Sequence, residues 1–255
     1  MKKKTTAFVI CIFLLVALFI VYIFSELYTE SDMTSNTEKV ITDAEKFEKE
    51  YEDINSKLTD TGKTIRPINI DNNNPIEYIT EDKLIEKINN KESFIVYFGF
   101  TDCPWCRSVI QEFLDTSKEY AIEKIYYLDV KDIRDKYELN ESHELVKTKE
   151  GTQGYYELLN KLSKVLDDYE PLTYVNSKGK TKKVAINEKR IYAPNFVLVE
   201  NGEAVIKVTG IPDTMTDPYI ELDDNLKEYQ KSEFSKVFSA FNKGVVTTTC
   251  GDTMC

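Results

Sequence analysis

The sequence predicts an α/β protein, a central mixed sheet flanked by helices, and three observations predict it. Phe94-Ile95-Val96-Tyr97-Phe98 is a nearly continuous apolar run, the pattern of a central strand buried on both faces. Strand-like and helix-like stretches alternate from residue 76 to residue 130 in the order β-α-β-α-β. Later, Glu200-Asn201-Gly202-Glu203 joins two apolar stretches through an Asn-Gly pair, the signal of a tight antiparallel hairpin.

Before that domain comes a membrane signal. Lys2, Lys3 and Lys4 precede an uncharged stretch, and residues 7–24 are almost all apolar. Eighteen helical residues span about 27 Å, close to the ~30 Å hydrocarbon thickness. The lysines are expected to stay inside, which makes residues 1–6 a cytoplasmic stub and 7–24 a transmembrane signal anchor. A cleaved signal peptide is the competing reading. It wants small residues after the apolar run, and the run here ends Val21-Tyr22-Ile23-Phe24-Ser25-Glu26. Cys11 sits early in the run, which argues against a lipid-bearing cysteine and for packing within the membrane. Residues 25–37, polar and rich in Ser and Thr, read as a stalk.

The charge balance agrees with export. The chain of 255 residues carries 33 lysines and arginines against 44 acids; only three of the bases precede residue 26, so the remainder holds 30 against 44, a balance of −14. Such acidity argues against nucleic acid and against adhesion to an anionic membrane surface. The abundance of Lys, Glu, Asp, Asn and Ile is that of an AT-rich bacterial genome.

Residues 38–75 read as an N-terminal helical extension and loop. Val40, Ala44, Phe47, Tyr51, Ile54 and Leu58 recur at helical spacing, Gly62 ends the helix, and 71–75 form a loop. The main domain, 76–243, opens with a short strand at 76–79. A helix capped by Thr80 follows, with Leu84, Ile85 and Ile88 on its inner face, and then the apolar strand. The next helix carries Val109, Ile110, Phe113 and Leu114, and 125–130 form another strand. An insertion of about 131–189 interrupts this order. It contains a helix with Leu158, Leu159, Leu162, Val165 and Leu166 on one stripe, and a hairpin around residues 176–179. Either it shapes a partner groove or it packs as a cap. After it come Ile191 to Val199, the Asn-Gly turn and a second strand; a final helix runs from about 224 to 243, and 244–255 form a tail.

Chemistry concentrates at Cys103-Pro104-Trp105-Cys106, between the apolar strand and a helix. Pro104 falls at the first helical position, where its missing N–H is tolerated. Cys103 then occupies the N-cap, where backbone N–H groups and the helix dipole favour a thiolate. Cys103 is therefore the attacking residue, and Cys106, nearly one turn on, resolves the mixed disulfide. Two zinc ligands or two structural cysteines are the alternatives, but other ligands are few and His143 is the sole histidine. Arg107 either supports the thiolate or is solvated. Copper delivery is disfavoured by the lack of a nearby histidine or methionine. Cys250 and Cys255 form a second pair: a structural disulfide loop, a shuttle to Cys103/Cys106, or part of a four-cysteine metal site.

The stretches F-I-V-Y-F-G-F-T-D-C-P-W-C-R and A-P-N-F-V-L-V-E-N-G-E, with Gly210 beyond them, resemble the thioredoxin fold over about 110 of 255 residues. Within that superfamily the chain is similar to exported, membrane-anchored thioredoxin-like proteins of Gram-positive bacteria, the bacteriocin-accessory type. The resemblance implies a cis Ala193-Pro194 peptide facing the dithiol. Pro104, Trp105, Ala193 and Pro194 would then border the substrate. One departure stands out: cytoplasmic thioredoxins place a buried aspartate where Tyr97 stands, and Asp102, beside Cys103, is expected to face solvent and slightly disfavour its thiolate. The expectation is an extracytoplasmic thiol–disulfide oxidoreductase acting on cysteine-containing exported proteins, without metal or organic cofactor, served by a membrane redox partner. The alternative is an accessory module that binds a secretion or bacteriocin-export partner.

Overall fold

The computed structural model describes residues 16–23 and 40–249. The chain divides into two compact units, residues 1–41 and 42–255. In the first, residues 16–23 are helical. No helix among the described residues is long and apolar enough to cross a membrane. The remainder of the expected 7–24 anchor, Cys11, the 25–37 stalk and the pair Cys250/Cys255 lie outside the described residues.

The second unit is built on a five-stranded mixed sheet. Its strands are β1 (Ile76–Tyr78), β2 (Phe94–Gly99), β3 (Ile125–Asp129), β10 (Asn195–Glu200) and β11 (Glu203–Val208), in the order β1-β3-β2-β10-β11. β2 runs parallel to β3, which runs parallel to β1; β10 is antiparallel to β2 and to β11. All six residues of β2 are buried, as its unbroken apolar run requires. Asn201 and Gly202 both adopt positive φ (51° and 78°), the backbone a two-residue hairpin needs between β10 and β11.

Helices cover both faces. Ile95 and Tyr97 point to the face packed by α1 (Asp43–Glu52), α4 (Ile110–Glu119) and α6 (Asp224–Thr249). Phe94, Val96 and Phe98 point to the face packed by α2 (Glu81–Asn89) and α5 (Gln153–Leu162). The alternation follows from the two-residue repeat of a strand.

The extension departs from its pattern. Only Phe47 and Tyr51 of its expected apolar stripe belong to the core, while Val40 is 91% and Leu58 69% exposed. The helix begins where Thr42 and Glu45 form a capping box, Glu45 N–H donating to Thr42 Oγ1 (3.1 Å) and Thr42 N–H to Glu45 Oε2 (2.9 Å). It ends at Glu52, ten residues before Gly62. There a distant side chain replaces helical partners: Arg107 Nη1 donates to the Tyr51 carbonyl at 2.9 Å.

The expected insertion is not one decoration. Its helix, α5, buries Tyr155, Leu158 and Leu162 against α2 and the sheet and is a layer of the fold. On either side lie β4 (Lys136–Leu139) paired with β5 (Leu145–Lys149), and β7 (Leu172–Val175) paired with β8 (Thr181–Val184). The two-residue strands β6 (Asp167–Asp168) and β9 (Lys189–Arg190) close the segment. His143 stacks on Tyr174 with ring centroids 3.9 Å apart and ties the two hairpins together. The last helix runs six residues past its expected end at 243, to Thr249.

Candidate active site

The dithiol sits where β2 ends. A turn at Thr101-Asp102, closed by Cys103 N–H donating to the Phe100 carbonyl (3.2 Å), leads into α3 (Pro104–Arg107). Pro104 occupies the first helical turn and Cys103 the N-cap, as the sequence predicts. The helix then breaks. α3 is a single turn ended at Ser108, and α4 starts only at Ile110. One turn carries little macrodipole, so specific donors do the work expected of the long helix. Cys106 N–H donates to Cys103 Sγ at 3.3 Å.

The two sulfurs have opposite environments. Both cysteines are thiols here, Cys103 4% and Cys106 0% exposed. The hydrogen bond from the Cys106 thiol holds the Cys103 pKa below the ordinary thiol value, with the Cys106 and Trp105 N–H groups and the Arg134 cation acting in the same direction against burial. Burial pushes the Cys106 thiol up, and the neighbouring Cys103 adds to the rise. The outer sulfur is the readier nucleophile and the inner one retains its proton.

Ala193 and Pro194 lie across from the dithiol. Their peptide bond is cis, and the Cys103 thiol donates to the Ala193 carbonyl at 3.4 Å over 90 residues of chain. Asn195 is fully buried; with its amide oriented to suit its neighbours it donates to the Pro194 carbonyl (2.9 Å) and accepts from Tyr192 N–H (3.3 Å). Pro104, Trp105 and Ala193 are half-buried and rim the Cys103 sulfur, whereas Pro194, expected to border the substrate with them, is itself buried. Sequence residues 103–106 and 193–194 are thus brought to one place.

Arg107 is neither solvated nor directed at the thiolate. It is 1% exposed and donates to the carbonyls of Arg66 (2.9 and 2.7 Å), Tyr51 (2.9 Å) and Thr101 (3.2 Å) and to Asn55 Oδ1 (2.5 Å). It anchors the cysteine turn to the N-terminal extension. The cation near the thiols is Arg134, between β3 and β4, whose guanidinium lies 5.2 Å over the Phe100 ring and whose Nε is buried without a partner. No motif marked Arg134; its arrival depends on how the chain leaves β3. Asp102 is partly exposed, as expected, and its charge is countered by Lys131 at 2.5 Å.

Tyr97, at the expected position on β2, is fully buried, and its phenol acts on the Cys106 thiol to lower its pKa against the larger effect of burial. Its hydroxyl meets that of Tyr51 at 2.8 Å. Tyr51 read only as a core position in the sequence, because nothing local connects residue 51 to residue 97. Among the described residues, no group of three or more His, Cys, Asp or Glu side chains is placed to hold a metal ion.

No protein-family model matches the chain, and no curated protein matches it.

Proposed function

We propose that this chain is a thioredoxin-like thiol–disulfide oxidoreductase, anchored in the cell membrane by its N-terminal segment and acting on cysteine-containing proteins outside the cytoplasm. The observation that carries the reading is the asymmetry of the dithiol: a Cys103 sulfur favoured as thiolate beneath the Ala193 carbonyl, and a buried Cys106 held as thiol. The strand order around the dithiol and the cis proline before β10 also support it. The export signal in residues 1–25 and the acidic remainder support the compartment.

In this mechanism the Cys103 thiolate attacks one sulfur of a substrate disulfide and expels the other as a thiolate. Cys106 then attacks Cys103 Sγ, the Cys103–Cys106 disulfide forms, and the second substrate sulfur leaves. The substrate gains two electrons and two protons; the dithiol loses both. The steps reverse when the site begins oxidised. The Ala193 carbonyl faces Cys103, so a substrate chain crossing Trp105 and Ala193 can take a backbone hydrogen bond as its sulfur reaches Cys103.

The test is the reduction potential of the Cys103–Cys106 pair, measured against glutathione and dithiothreitol in the full chain carrying Cys250→Ser and Cys255→Ser. A value of about −120 to −180 mV assigns an oxidase or isomerase, and one near about −270 mV a reductase. A pair that neither oxidises nor reduces removes the enzyme reading in favour of an accessory binding module.

A further inference from the structure

Beneath the dithiol is a polar pair in an otherwise aromatic core. Tyr51, Tyr97 and Cys106 are each fully buried, and the two phenolic oxygens stand 2.8 Å apart. Tyr97 is clamped in place: its ring stacks on Phe196 (4.7 Å) and Tyr127 (5.3 Å). Tyr51 is held by Phe47 at 4.4 Å, and its own carbonyl is fastened by Arg107. Neither ring can be explained by apolar packing alone, since Phe would fill the same volume without two hydroxyls to satisfy.

Gly99 gives the reason for the ring's direction. Residues 97 and 99 share one face of β2. A Cβ on Gly99 would stand 2.1 Å from the Tyr97 hydroxyl oxygen and 2.2 Å from Cζ. The missing side chain opens the lane by which Tyr97 leans along the strand, over Gly99, toward the end where Cys106 lies.

Resting on the oxidoreductase reading, we infer that Tyr51 and Tyr97 form a hydrogen-bond relay serving the resolving cysteine, Tyr51 O–H donating to Tyr97 and Tyr97 O–H donating to the Cys106 sulfur. Tyr97 is the catalytic donor and Tyr51 the positioning residue. The N-terminal extension thereby supplies part of the redox centre. When Cys106 gives up its proton to attack Cys103 Sγ, the proton ends on the departing substrate thiolate. The phenols keep theirs and hold the charge passing through Cys106. In the reverse direction the same donor stabilises Cys106 as it leaves. Burial raises both phenol pKa values well above ordinary tyrosine, so they are neutral donors rather than bases. A donor pair inside a dry core polarises cooperatively and is stronger than the same pair in water. The titratable and charged groups that face Cys106 are Cys103 beside it, Tyr97 on β2, Tyr51 on α1, Tyr127 on β3 and Arg134 beyond β3.

The experiment follows the two steps separately in the full chain, with Cys11, Cys250 and Cys255 changed to Ser. An aromatic disulfide that releases a coloured thiolate at each step serves as probe. The first release reports attack by Cys103 and the second reports resolution by Cys106. Tyr97→Phe should slow the second release by roughly ten- to a hundredfold, as expected for one hydrogen bond to a charged group, and move its pH profile to higher pH. The first release should keep its rate. Tyr51→Phe should act in the same direction and more weakly, and restoring tyrosine at either position restores the rate. A folded Tyr97→Phe or Tyr51→Phe protein with wild-type resolution rate and pH profile overturns the relay. Should Tyr97→Phe fail to fold, Tyr51→Phe decides the question alone. A wild-type chain that releases nothing overturns the oxidoreductase reading itself, and the relay with it.

Discussion

At the Cys103 sulfur two influences oppose each other. Burial and the bond the thiol donates to the Ala193 carbonyl favour the neutral form, while the Cys106 thiol, two backbone N–H groups and the Arg134 cation favour the thiolate and prevail. The direction of the pH effect follows. A cation stabilises the charged form, so its removal leaves less thiolate at any given pH. Arg134→Gln should therefore shift the pH profile of Cys103 alkylation by iodoacetamide upward, slowing the reaction roughly two- to fivefold near about pH 6. Lys178→Gln, on the exposed β7–β8 turn, is the control; Lys131→Gln would not serve, because it would uncover the Asp102 carboxylate beside Cys103. An unchanged profile in Arg134→Gln removes Arg134 from the site. The N-cap placement of Cys103 was legible in the strand–Cys-Pro-Trp-Cys order, since capping is decided within four residues. Arg134 was not legible, because its approach to the sulfur comes from another segment of chain.

Elements divide by what they bury. α5 was expected within an insertion of uncertain role, yet Tyr155 and Leu158 are fully buried against the second face of the sheet. Without it, β2 and β10 would expose Val96, Phe98 and Val197. The β7–β8 hairpin buries little: β7 alternates between half-exposed and exposed, Thr181, Lys182 and Lys183 of β8 are all exposed, and Val175 is 65% exposed. Leu158→Ala should lower the unfolding free energy by about 2–5 kcal/mol. Replacing residues 172–184 with a short loop should change it by less than about 1 kcal/mol. Urea unfolding midpoints measure both. Equal losses would mean that hairpin and helix belong to one cooperative layer. The apolar stripe of α5 was visible in the sequence. Its assignment to a face of the sheet was not, because periodicity tells which side of a helix is apolar and not what that side meets.

At the scale of the whole second unit, residues 42–75 of the N-terminal extension share a core with the sheet. Phe47, Tyr51, Ile68 and Ile70 are at most 6% exposed and share one core with Cys103 and Cys106. Arg107 depends on the same segment for the carbonyls of Tyr51 and Arg66 and for Asn55 Oδ1. Starting the chain at residue 76 would forfeit the burial of four large side chains, roughly 6–12 kcal/mol, and strand a buried cation, against a typical margin of about 5–15 kcal/mol. A chain of residues 42–255 should show a cooperative thermal transition, and one of residues 76–255 should show none. A sharp transition in the shorter chain would make the extension an ornament and weaken the case for Tyr51 in the site.

Local chemistry in the sequence was enough for the apolar run of β2, the Asn-Gly hairpin, the Thr80 cap and the placement of Cys103 and Pro104 at a helix start. Each depends on preferences acting over a few residues. The end of α1 at Glu52, the break between α3 and α4, the burial of Arg107 and the meeting of Tyr51 with Tyr97 arise only in the packed chain. Those contacts join groups tens of residues apart, and a buried polar group takes whichever partner the packing brings within reach, since leaving it unpaired costs more than any local preference.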